Sequence, residues 1–288
     1  MWLRPVKFEL EVLERRPAAP NGRPPLLFVH GAFMTAACWT RFLDAFAERG
    51  YPSFAVSLRG HGGSEGRAWL PWARLADFVE DVRSVARRLG PSTVLVGHSM
   101  GGMVVQKLLE AEPAPAAVLM ASVPPSGLWG SALSMLLREP GLWLQLAVAS
   151  GLGPRFASAT ALRRALFSPE VSDEVLKPLF EQAQTESQGV LADLYWADLP
   201  IVSRVARTPL LVLGASNDCF VPSLEVQRTA RTYGADCQVI PNMSHAMMLE
   251  PGWAAVVDRI DAWLCLHGAS VRPPAQAPAK PEGLLVTH

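Results

Sequence analysis

The chain has 288 residues, half of them hydrophobic, with Lys plus Arg matching Asp plus Glu at 26 each. That length suits one sizeable domain with a buried core, and the zero net charge excludes nucleic acid or an anionic membrane as a partner held by bulk electrostatics. Met1-Trp2-Leu3-Arg4-Pro5 has no basic region followed by an apolar stretch, so no secretory signal is expected and a cytoplasmic location is the default.

Residues 26–29, Leu-Leu-Phe-Val, read as a short buried strand that ends in His30-Gly31-Ala32-Phe33. Gly31 lets the backbone turn, and His30 is expected to brace the turn by hydrogen bonding. Residues 72–90 place Leu75, Phe78, Val79, Val82, Val85 and Leu89 at helical spacing. Asp77, Glu80 and Asp81 come early and Arg87 and Arg88 late, as the helix dipole favours. Residues 93–96 form another apolar strand, which runs into Gly97-His98-Ser99-Met100-Gly101 and a helix-like stretch.

This last segment carries the chemistry. A serine hydroxyl is a poor nucleophile at neutral pH, and a tight strand-turn-helix lifts it clear of the backbone to where a histidine can take its proton. Gly97, Gly101 and Gly102 are needed where strand and helix cross closely. Such an elbow expects an acid and then a histidine, each in a loop after a later strand. Residues 209–214 read as a buried strand with Asp218 just beyond it. Residues 223–233 form a helix, 237–240 a strand, and His245 follows in Pro-Asn-Met-Ser-His. One βαβ step would bring both loops to the same sheet edge. Attack on an ester carbonyl also creates an oxyanion that fixed donors must meet. The backbone amides of Ala32 and Met100 are the expected donors.

Residues 124–205 break the strand-helix alternation. They are helical in composition and apolar through Leu128, Trp129, Leu133, Met135, Leu142 and Trp143, but Arg138, Glu139 and Pro140 interrupt them. The apolar run is too short for stable membrane insertion, which needs roughly 20 residues. This stretch reads as a cap over Ser99. Phe33, Met34, Trp129, Met135, Trp143 and Met247 are the expected lining of an apolar substrate pocket. A last helix covers 251–266, and the proline-rich residues 267–288 read as a flexible tail. The expected domains are therefore a core of 1–123 and 206–266, a cap of 124–205, and the tail.

No histidine pair has the helical spacing of zinc motifs, so no metal and no cofactor are expected. Cys38, Cys219, Cys237 and Cys265 show no metal or redox spacing and are expected as free, mostly buried thiols. His61 belongs to a glycine-rich loop, and His98 is expected to point away from the cleft and pack.

The motifs HGAF, SLRGHGGS (57–64), GHSMGG, GASND and SHAMMLEP (244–251) together resemble the α/β-hydrolase superfamily in its serine esterase and lipase branch. The resemblance covers about 26–122 and 207–266. It implies a doubly wound, mostly parallel α/β sheet with the cap inserted after the sixth strand. It implies Ser99 as nucleophile, His245 as general base and acid, and Asp218 as the residue orienting His245. Relatives that place the acid after an earlier strand would use position 122, which here is Ser122. Others use an aspartate nucleophile for epoxide or haloalkane chemistry, against which Ser99 argues. The expected substrate is a small lipophilic ester or thioester of medium to long acyl chain. Acyl transfer to an alcohol or amine, cofactor-free perhydrolysis, and a low-turnover ligand-binding or receptor protein remain open. Oligomeric state is not legible.

Overall fold

Leu26 and Phe28 of strand β2 (Leu26–Val29) pack into one hydrophobic core, while Leu27 and Val29 pack into a second. Side chains alternate across a strand, so these four fully buried residues show a sheet covered on both faces. The computed structural model describes residues 7–19, 21–152, 158–182, 184–205, 208–267 and 285–287.

The other strands are β1 (Glu11–Arg15), β3 (Ser53–Val56), β4 (Val94–His98), β5 (Ala117–Met120), β6 (Leu210–Ala215), β7 (Asp236–Ile240) and β8 (Leu285–Thr287). They form an eight-stranded sheet in the order β7-β6-β5-β4-β2-β3-β1-β8. Among the described residues only β1 against β3 is antiparallel. Central strands buried on both faces are near-continuous Val, Leu, Ala and Phe, as a parallel sheet requires.

Helices α1 (Thr40–Glu48), α2 (Leu75–Leu89) and α3 (Met100–Leu109) flank the first half of the sheet. On one face Phe42 and Phe46 of α1 gather around Phe28 and Trp39, with ring centroids 5.0–6.1 Å apart from Phe28. On the other, α2 buries Phe78, Val79, Val82 and Val85. The helix expected over 72–90 begins at Leu75 because a separate 3-10 turn, Arg67–Trp72, precedes it. The Asp77 carboxylate then accepts the Arg74 N–H at 2.9 Å, which satisfies a donor that the helix start leaves free.

The stretch expected as a cap, between β5 and β6, carries α4 (Trp129–Arg138), α5 (Pro140–Leu152), α6 (Ala159–Leu166), α7 (Asp173–Gln182) and α8 (Gln188–Ala192), followed by a π-helical turn, Asp193–Ala197. The chain re-enters the sheet at β6 and closes with α9 (Ser223–Tyr233) and α10 (Trp253–His267). The cap follows the fifth strand, one earlier than expected, because among the described residues only β1 precedes β2.

Two expectations need correction. Within the tail, Leu285–Thr287 lies parallel to β1 in the register Glu11 to Leu285, so this part is a sheet strand; residues 268–284 and 288 lie outside the described residues. The four cysteines are free, but only Cys38 is buried, and Cys237 and Cys265 are exposed. Cys237 lies on edge strand β7, whose outer half faces solvent.

Candidate active site

Ser99 stands between β4 and α3 with φ 53° and ψ −118°, a conformation costly for any residue with a side chain. Its surroundings hold it there. Its N–H donates to Met120 O at 3.0 Å, and its carbonyl accepts from Gly102 N at 3.0 Å and Val123 N at 3.2 Å. The glycines are steric requirements: a Cβ on Gly97 would lie 2.5 Å from Gly101 O, one on Gly101 would strike the Val29 carbonyl, and one on Gly102 would strike Ser122.

Around this elbow the structure gathers the residues expected from sequence. His245 Nε2 lies 3.0 Å from Ser99 Oγ, and His245 Nδ1 lies 2.8 Å from Asp218 Oδ2. Both His245 and Asp218 are buried. Asp218 Oδ1 accepts the amides of Phe220 at 2.8 Å and Val221 at 2.9 Å, so the carboxylate cannot rotate freely. Phe220 and Val221 were not anticipated, although an Asx-type turn after Asp218 is the signal that could have found them. Asp193 and Asp198 are committed elsewhere: Asp193 pairs with Arg74, and Asp198 with Lys107. Ser122 accepts from Gln106 Nε2 at 2.9 Å, in a buried brace behind the elbow.

His98 packs, as expected, with its ring 4.8 Å from that of His245, but it also borders the cleft, against the expectation that it points away. Its imidazole is driven down to about 3 by burial, and then by the neighbouring His245. Neutral, it donates Nε2–H to the His245 carbonyl at 2.9 Å and so pins the histidine loop. His30 is likewise neutral, pushed to about 3 by burial and then by the charge of His61. Its Nε2 accepts the Leu58 N–H at 3.0 Å, which leaves Nδ1 to donate to Gly31 O at 2.8 Å.

That contact bears on the donor expected at Ala32. Gly31 C=O and Ala32 N–H belong to one planar trans peptide and point in opposite directions, so holding the carbonyl aims the amide. Met34 N also reaches Gly31 O, at 3.3 Å. Among the described residues, neither the Ala32 nor the Met100 amide donates a hydrogen bond, and both residues border the cleft beside Ser99. A Cβ on Gly31 would lie 3.1 Å from the Ser99 Cβ, which measures how near this loop comes to the serine.

The cleft over Ser99 has a volume of about 470 Å³ and is walled chiefly by the cap, through Leu128, Met135, Trp143, Leu146, Leu191 and Leu194. Phe33 and Met34 also line it. Trp129 and Met247 do not. Trp129 is 57% exposed and stacks on Trp196 at 5.5 Å on the outside of the cap. Met247 is fully buried in the core shared with α1 and α10. Leu191 and Leu194 were missed because the short α8 and its π-helical turn give no long periodic run.

Among the described residues no helix is long and apolar enough to cross a membrane. A model of the alpha/beta hydrolase family matches residues 26–259. The chain is 25% identical over 257 residues to the monoacylglycerol lipase of Mycolicibacterium smegmatis, covering 85% of this chain and 89% of that protein. It is 27% identical over 248 residues to epoxide hydrolase 3 of Xenopus tropicalis, covering 77% of this chain and 66% of that protein. Among solved structures, a thermophilic esterase from Thermogutta terrifontis superposes with a TM-score of 0.71 at 21% identity, over 94% of this chain and 97% of its own. With the family's model spanning both the elbow and the histidine loop, the chain belongs to the alpha/beta hydrolase family.

Proposed function

We propose that the chain hydrolyses carboxylic esters of lipophilic acids through an acyl-enzyme. The observation that carries this reading is the unbroken Ser99, His245, Asp218 chain of contacts at the floor of an apolar cleft. Ser99 Oγ attacks the ester carbonyl as His245 Nε2 takes its proton, and the Ala32 and Met100 amides stabilise the tetrahedral oxyanion. The C–O bond then breaks and the alcohol leaves with the proton held by His245. Water, deprotonated by the same nitrogen, attacks the acyl-enzyme and releases the acid. Asp218 holds the imidazole in the tautomer that keeps Nε2 free to accept.

The names of two relatives agree with ester chemistry: the lipase already described and a pimeloyl-[acyl-carrier protein] methyl ester esterase of Nitrosospira multiformis, 28% identical over 250 residues. An aliphatic cap wall suits an acyl chain, whose methylenes each contribute about 0.8 kcal/mol on burial. The test is covalent labelling combined with turnover. A fluorophosphonate adds its mass to the peptide containing Ser99, and p-nitrophenyl esters from acetate to palmitate are hydrolysed with a rate that rises beyond acetate. Labelling at another residue, or hydrolysis that survives Ser99→Ala, refutes the reading.

A further inference from the structure

On the cap side of the oxyanion loop lies a carboxylate with no part in the chemistry above. The Glu186 side chain is fully buried, as is that of His61, and Glu186 Oε2 lies 3.2 Å from His61 Nε2. The same oxygen faces the Phe33 N–H at 3.4 Å, while Oε1 accepts the Ser187 N–H at 2.9 Å. The neighbouring cap residue Gln184 donates its N–H to Phe33 O at 3.4 Å and accepts from Gly62 N with Oε1 at 3.2 Å. The cap thus brackets Phe33 on both of its backbone groups.

Phe33 needs such bracketing. Its φ is 65°, a left-handed conformation that a bulky residue keeps only where its surroundings over-determine it. It directly follows Ala32, so its position sets one end of the peptide chain that carries the proposed oxyanion donor; the other end is set by His30 through Gly31 O. A buried carboxylate persists when paired, and His61 supplies the pair. Burial, the largest influence, lowers the His61 imidazole, but the Glu186 charge and the hydrogen bonds to Glu186 and the Arg59 carbonyl together outweigh it and raise it. His61 Nδ1 in turn donates to Arg59 O at 3.1 Å, so the pair is fixed to the core.

We infer that Glu186, charge-balanced by His61, is a positioning residue that reaches from the cap to hold Phe33 and thereby the oxyanion donor at Ala32. The inference rests on the ester-hydrolase reading and gives the cap a second task besides lining the cleft. An oxyanion donor acts on the transition state rather than on the bound ester, so its misplacement has a kinetic signature that simple damage to the pocket lacks.

The experiment measures kcat and KM on a p-nitrophenyl ester, affinity for an alkyl boronic acid that mimics the tetrahedral oxyanion, and Tm. The variants are Glu186→Ala, Glu186→Asp and Glu186→Gln. Glu186→Ala is expected to lower kcat about 10- to 100-fold with KM within about threefold, and to weaken the boronic acid by a similar factor. Glu186→Asp, one methylene short of Phe33, shows the same kcat-only loss and carries the test if the alanine variant does not fold. Glu186→Gln keeps an acceptor facing the Phe33 N–H and recovers most of kcat. Unchanged kcat in Ala and Asp, a rise in KM alone, or a glutamine variant as poor as alanine overturns the inference. Wild-type protein inert on every ester overturns the ester-hydrolase reading itself, whereas an active wild type with indifferent variants overturns only the role of Glu186.

Discussion

Asp218 meets His245 through one oxygen only: Oδ2 takes Nδ1 at 2.8 Å, while Oδ1 is occupied by the Phe220 and Val221 amides. Asparagine cannot serve both sides. Its NH₂ would face either two N–H donors or the imidazole, and in the second case it would drive the proton to Nε2, where it blocks attack. Asp218→Asn is expected to lower kcat by about a thousand- to ten-thousand-fold with little change in KM, measured by steady-state hydrolysis. A variant with near wild-type rates would remove Asp218 from the mechanism, and neither Asp193 nor Asp198 is free to replace it.

The φ of 53° at Ser99 carries a cost that a glycine would not bear. Ser99→Ala and Ser99→Gly should both be inactive, yet the glycine variant should be the more stable by about 1 kcal/mol, since relief of strain outweighs the added freedom of the unfolded chain. Urea unfolding of the two variants measures the difference. Equal or reversed stabilities would show that the elbow is unstrained.

Acyl preference should respond to the inner face of the cap and ignore its outer face. Trp143→Ala is expected to lower kcat/KM for octanoate about 10-fold or more, because roughly 1.5 to 3 kcal/mol of apolar contact is at stake, while acetate changes by less than about threefold. Trp129→Ala, on the outside, should leave the acetate-to-octanoate ratio unchanged. If Trp129→Ala shifts the ratio as much as Trp143→Ala does, the acyl chain does not run where the cleft places it.

Stability should fall on the acid side through two histidines remote from bulk water. His30 and His98 have imidazoles lowered from 6.5 to about 3 in the folded chain, so the unfolded chain binds more protons between those values. Stability is then full above about pH 6.5 and declines toward pH 3, with a contribution approaching about 3 kcal/mol per pH unit for the pair. The raised His61 works in the opposite sense, with a contribution that is complete below 6.5 and lost only as pH rises through its folded value. His98→Asn should flatten the acid limb of a plot of Tm against pH, and an unchanged limb would mean that His98 takes up its proton without unfolding.

The parts legible in the sequence were those whose signal is local. Residues 26–29 and 223–233 coincide with β2 and α9, and the elbow declared itself through glycines whose Cβ atoms have no room. Asp218 and His245 followed from their places after two strands. The cap lining was not readable in this way, because α5 is apolar on nearly every side: it buries Leu142, leaves Leu144 exposed and places Trp143 and Leu146 against the cleft. Periodicity points to the facing side of a helix only where the other side is polar. Glu186 escaped notice for a related reason, since a lone glutamate between helices reads as a solvated residue until His61 is found against it.

The pairing of Ala117 with Leu210 also governs the order in which the molecule can assemble. The whole cap lies between these two neighbours in the sheet, so β1 to β5, with the serine elbow, can associate through closer contacts than those that bring in β6 and β7. Asp218 and His245 travel with the later strands, so Ser99 can take its place before they do. The waiting is a matter of rate rather than of final stability: halving the length of the intervening chain would relieve only about 0.6 kcal/mol of closure entropy. A cap of this length is therefore cheap to keep, and what it encloses can change without disturbing the strands that flank it.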